Sequence, residues 1–164
     1  PAVLTVARIE AGTTNNVIPE TAVMEGTIRA VSEATRSDVM SGLQQVAEGV
    51  AAAHGASVEV AVDPGYPVTI NDAGFAALAA EAIGAVETVD AYLEAPAPVM
   101  GAEDFSYVLQ KVPGAMAFMG VCPPDLSFDT APACHSNRMM LHEPAMAIGV
   151  DIHTAVALEF FATS

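Results

Sequence analysis

Four histidines are the first residues to weigh for metal or acid–base chemistry: His54, His135, His142 and His153. None forms an H-E-x-x-H pair, and none stands beside a cysteine pair at zinc-ribbon spacing. His54 falls at a helix C-terminus, where a cation complements the helix dipole. His153 lies inside a helical pattern, and His142 with Glu143 suits the entry to that helix. His135 differs. It sits in a loop, in the setting CHSNR, after an apolar strand-length run and before the last helix. Loops at strand ends are where α/β folds carry their chemistry. On pattern alone a lone histidine is more often structural than a ligand.

Asn16 and Arg29 form a second candidate pair. Asn16 falls in a turn and Arg29 on the polar face of the following strand; antiparallel pairing is expected to bring both to one surface. An amide and a guanidinium together suit a carboxylate. The alternative is a turn-forming Asn and a solvated Arg. Gly101, within MGAEDFS (100–106), precedes a short helix with two acids in its first turn. This is either dipole chemistry or a glycine that lets a ligand approach the backbone. No Ser-His-Asp set, phosphate-binding loop or dinucleotide fingerprint is present.

The elements that must position these residues follow from periodicity. Residues 3–9 (VLTVARI) read as a strand, AGTTNN as a turn, and AVMEGTIRA alternates as a second strand. Thr35 to Ala53 reads as a helix, with Val39, Leu43, Val46 and Val50 on its buried side. Thr35 or Ser37 would cap it and Gly55 would end it. SVEVAV (57–62) alternates as another strand. The order strand, strand, helix, strand is most of a split β-α-β sandwich. PGYPVTIND (64–72) reads as a crossing between domains. Beyond it the pattern gives a helix from Asp72 to Ile83 around Phe75, Leu78, Ala79 and Ala82. A short helix is expected over Glu103 to Lys111, and a buried strand over 114–121. The last helix starts near Pro144, with Ile148, Ile152, Ala155 and Val156 as its stripe. The division expected is residues 1–68 and 69–164.

Bulk composition narrows the function classes. Twenty acidic residues face five basic ones in 164 residues. So acidic a surface repels phosphate backbones and anionic lipid, which argues against nucleic-acid and membrane partners. No run reads as long enough to span a bilayer. With 52% apolar residues a packed core is expected. Cys122 and Cys134 are too few for a disulfide framework or a zinc knuckle. The expected location is cytoplasmic. A start at Pro1, directly before strand-like sequence, reads as a piece of a longer protein.

Three segments, in order, carry a family resemblance. GTTNNVIPETAVMEGTIRA (12–30) resembles the lid-domain signature of aminoacylase and carboxypeptidase-type zinc metallopeptidases. MGAEDFSY (100–107) resembles a motif of the hippurate hydrolase and auxin-conjugate amidohydrolase branch. HSNRMMLHEPAMAIG (135–149) resembles the closing motif of the same enzymes. The resemblance implies an α/β fold with an α+β lid. Residues 1–68 would be the C-terminal part of a ferredoxin-like lid and dimerisation domain. Residues 69–164 would be the C-terminal part of the metallohydrolase catalytic domain. It implies two divalent metal ions (zinc, manganese or cobalt), with His135 ligating one. It implies that Asn16, Arg29 and Gly101 contact a small amide substrate with a free carboxylate, in a homodimer formed through the lid.

The general-base Glu and the other ligands are expected upstream, so no catalytic residue is assigned here. Cys134 stands where Leu is usual, and Asn137 and Met139 depart from the branch's Pro and Phe. The chain alone is expected to be inactive. Two alternatives remain at this stage: a non-catalytic dimerisation module, and a regulatory domain that binds an amino acid.

Overall fold

The computed structural model describes residues 1–163. The fold is mixed α/β, in the order β1 (Ala2–Ala11), β2 (Ala22–Ala30), α1 (Glu33–Ala53), α2 (Ala73–Gly84), α3 (Ser106–Leu109) and α4 (Ala145–Thr163). Two compact units form. The first holds Pro1–Thr69 and Pro96–Lys111; the second holds Ile70–Ala95 and the chain from Val112 onward. The stretch after Pro96 therefore packs with the first unit rather than with its neighbours in sequence.

In the first unit β1 and β2 form an antiparallel hairpin, pairing Ala2 with Ala30 and Ala11 with Ala22. A register shift between Val6 and Arg8 leaves Ala7 as the extra residue of a bulge. Gly26 pairs with Val6 beside this bulge, and a Cβ there would lie 2.1 Å from the Thr5 carbonyl oxygen. Only glycine permits that approach. Arg8 spans the strands to Glu25 at 2.7 Å and also reaches Glu10.

The helix α1 begins earlier than the pattern predicts. Ser32, extended at φ −149° and ψ 149°, accepts from the Thr35 amide at 3.2 Å. It therefore takes the capping role expected of Thr35 or Ser37. At the other end Gly55 (φ +69°) donates to Ala52 and Ala56 donates to Ala51. These two bonds close a Schellman motif, with His54 as C-cap. Val39 and Leu43 are half-buried as expected, but Val46 and Val50 are exposed. All four share one helix face, and that face is covered in its N-terminal half only.

The expected strand at 57–62 is not one. It runs extended, and Val60 and Val62 line a groove of about 470 Å³ with Glu33, Arg36 and Met40 of α1. Among the described residues no strand pairs with it, and the sheet is two-stranded. Alternation dictates an extended backbone, but a strand also needs a partner edge.

The second unit centres on α2 and α4. Asp72 caps α2 by accepting from the Phe75 amide at 2.8 Å. Phe75 meets Phe160 with ring centroids 6.2 Å apart. Ala82, Ile83 and Ala145 are buried, and Ile148, Ile152, Ala155 and Val156 form the expected half-buried stripe. The run 114–121 is also extended rather than a strand. Its contacts are single ones: Asn71 brackets the Met116 backbone, accepting at 2.9 Å and donating at 3.1 Å. Asp72 donates to Gly114, and His142 donates to Val121. By length and composition α4 is apolar enough to cross a membrane, with a mean hydropathy of 1.5, which corrects the reading that no run is. Asp151, held by Thr88 at 3.2 Å, interrupts it.

Candidate metal and substrate residues

His135 sits in a tight turn. The Ser136 amide donates to the Ala133 carbonyl at 3.0 Å, closing a four-residue turn with His135 at its third position. Its φ is +71°, and it is the one non-glycine residue with positive φ among the described residues. Such a position normally falls to Gly or Asn. Holding a histidine there costs on the order of 1 kcal/mol. The Ser136 hydroxyl accepts from the Arg138 amide at 3.1 Å and braces the next turn. The His135 side chain is exposed, and its imidazole has no hydrogen-bond partner among the described residues.

One free imidazole suits a metal ligand but does not make a metal centre. A catalytic zinc takes three protein ligands. Among the described residues no three His, Cys, Asp or Glu side chains gather to hold an ion. The donors present therefore do not fit a complete site.

Asn16 and Arg29 both belong to the first unit, at opposite ends of the hairpin. Asn16 lies in the loop joining the strands and accepts from the Thr14 hydroxyl at 3.1 Å. Arg29 pairs with Val3, seven residues beyond Ala22, which is about 23 Å along an extended strand. Antiparallel pairing separates the two, contrary to the expectation that it would unite them.

The structure instead brings Arg29 to Gly101. Arg29 donates through Nη1 to the carbonyl of Met100, the residue before Gly101. A Cβ at Gly101 would meet only Val99 Cγ1, at 3.9 Å, so the backbone there is open. The three arginines of this unit differ in their partners. Arg8 is paired with Glu10 and Glu25, and Arg36 with Glu33 at 2.9 Å. Arg29 has no carboxylate partner among the described residues, in a chain with four acids for every base.

Several positioning contacts escape the sequence reading. Arg36 donates to the Pro64 carbonyl at 2.5 Å while Glu33 accepts from the Val68 amide at 2.8 Å, fixing the segment that leaves the unit. Their i, i+3 spacing was the available signal. Tyr107 donates to the Gly65 carbonyl at 3.3 Å and meets Tyr66 edge to face. Ser106 is fully buried and donates to the Glu103 carbonyl at 2.5 Å. Nothing in their sequence spacing foretells the last two.

Comparison with known proteins supplies the context. The chain is 31% identical to thermostable carboxypeptidase 2 of Saccharolobus solfataricus, over 98% of this chain and 39% of that protein. It is 39% identical to the N-acetyldiaminopimelate deacetylase of Streptococcus thermophilus, over 90% of this chain and 37% of that one. The chain thus spans about two fifths of the length of these curated relatives. Among solved structures, it resembles the Bacillus subtilis YxeP protein, a dinuclear metal binding peptidase from the M20 family. That match has a TM-score of 0.83 at 31% identity, over 99% of this chain and 43% of that one. Residues 6–159 match the family model for peptidase family M20/M25/M40, and the chain belongs to that family.

Proposed function

We propose that this chain is part of a metal-dependent amidohydrolase that cleaves N-acyl amino acids, of the hippurate hydrolase and auxin-conjugate amidohydrolase branch. The relatives' names, a carboxypeptidase and a deacetylase, both denote cleavage of an amide bond. The observation that carries the substrate class is Arg29. It is an arginine without an acidic partner among the described residues, beside an open glycine backbone, and so a receptor for a substrate carboxylate. His135 supplies one ligand to a two-metal site whose remaining ligands, with the general base, come from outside these 164 residues. Divalent metals bound there (zinc, manganese or cobalt) would supply Lewis-acid chemistry for amide hydrolysis. Residues 1–68 serve as part of a ferredoxin-like lid, and residues 69–164 as part of the catalytic domain. Asn16, at the far end of the hairpin from Arg29, also serves the substrate. A homodimer forms through the lid, which would cover apolar side chains such as Val46 and Val50, and the enzyme acts in the cytoplasm.

The test compares this chain with the full-length enzyme that carries it. Hippurate and N-acetyl amino acids should be hydrolysed by the full-length enzyme in a chelator-sensitive way, and not by the 164 residues alone. Chelator-sensitive turnover by the isolated chain would refute the division of ligands. In the full-length enzyme Arg29→Ala should raise KM by about tenfold or more, because a carboxylate loses its charged partner. An unchanged KM would remove Arg29 from the substrate site.

A further inference from the structure

The segment Pro96–Lys111 reaches the first unit from between two stretches of the second. What holds it is sparse. Its C-terminal part is fixed through Tyr107, which bonds Gly65 and packs on Tyr66. Upstream of α3 a single hydrogen bond ties residues 96–103 to Pro1–Thr69 among the described residues, and Arg29 makes it. That bond ends on the carbonyl immediately before Gly101, where the backbone is open on the side a Cβ would occupy except for Val99 Cγ1.

A guanidinium carries five N–H donors in a planar fork. Nη1 is engaged with Met100. The other edge, formed by Nε and Nη2, has no acceptor among the described residues. An edge of that shape takes both oxygens of a carboxylate in parallel. A lysine ammonium in the same place is a point charge and cannot present two fixed edges.

We infer that Arg29 is a positioning residue for the Val99–Glu103 loop: one edge of its guanidinium pins the Met100 carbonyl while the other edge stays open. Arg29 thereby fixes the Gly101 backbone in place before any ligand arrives. If the proposed function is right, the open edge takes the substrate carboxylate, so one side chain both receives the substrate and orders the loop that lines it. This second clause rests on that function; the first does not.

The test uses the 164-residue chain and backbone 15N relaxation. Order parameters are read at Gly101, Ala102 and Glu103, with Thr5 and Thr27 in the hairpin as internal references. The wild type should give loop values near the rigid level of about 0.85. Arg29→Met keeps the aliphatic stem and removes every donor; it should drop the three loop values below about 0.6 and leave the hairpin unchanged. Arg29→Lys keeps a charged donor group and should restore most of the loop order. Loop values unchanged in Arg29→Met would overturn the inference. So would hairpin values falling together with the loop, which would make Arg29 a general support of the fold. A loop left equally loose by Arg29→Lys would also overturn it. A separate arm titrates hippurate. Arg29→Lys, with its loop restored, should still bind about tenfold more weakly than wild type, since an ammonium offers no planar edge to both carboxylate oxygens. Equal hippurate affinity, or none in the wild type, would count against the carboxylate reading while leaving the loop result standing.

Discussion

The two units are held together by different means. In the second, α2 and α4 bury Ala82, Ile83 and Ala145 and set Phe75 against Phe160. In the first, no apolar side chain is fully buried, and Val3 and Leu4 of the hairpin are each 45% exposed. Its attachments are polar and individual: Arg8 to Glu25, Arg36 to Glu33 and Pro64, Arg29 to Met100, Tyr107 to Gly65. A packed unit spreads its stability over many weak contacts. The clamped one rests on single polar contacts, several of them open to competition from water.

The contrast can be broken most severely at Gly26. A methyl group there meets the Thr5 carbonyl oxygen, so Gly26→Ala should destabilise the first unit by about 3 kcal/mol. Amide exchange should show the hairpin opening while α2 and α4 keep their protection. Equal loss in both units would mean that they fold as one. Next in size, Ile83→Ala should cost the second unit about 2 kcal/mol through lost burial and a partly collapsed cavity. Urea unfolding followed at α4 amides measures it, and hairpin amides should not respond. The smallest effect is expected at Arg36, whose side chain is 17% exposed. Arg36→Ala should cost about 1 kcal/mol, since it removes bonds to Glu33 and Pro64 that face competition from water. The signature should be faster exchange at Val68, whose amide depends on Glu33. A loss as large as that of Ile83→Ala would erase the distinction drawn between the units.

Legibility in the sequence follows the same contrast. The stripes of α2 and α4 were readable because each helix buries one face against the other, and burial writes a period into the sequence. The strand at 57–62 and the run at 114–121 carried the correct period for extended backbone. What they lacked was a partner, which lies in no local pattern. Val46 and Val50 misled for a related reason: they continue the face of Val39 and Leu43, and a period does not tell how far along the helix that face is covered. Among the site residues, the setting of His135 in a loop was legible, but its left-handed backbone was not, because no glycine or asparagine marks that turn. The partnership of Arg29 with Met100 spans 71 residues and ends on a backbone oxygen, an acceptor that every residue carries. Conversely, the expectation that Asn16 and Arg29 share a surface was a statement about register, and the register puts Val3 opposite Arg29.

The central claim is that His135 is held in its unusual backbone conformation to offer its imidazole to a metal. Metal content of the full-length enzyme after exhaustive dialysis tests it most directly, comparing wild type with His135→Ala and with His142→Ala as a control. The account predicts two metal ions per chain in wild type and in His142→Ala. It predicts about one in His135→Ala, with hydrolysis of hippurate lowered at least about a hundredfold. Two retained metals and near-normal turnover in His135→Ala would contradict it.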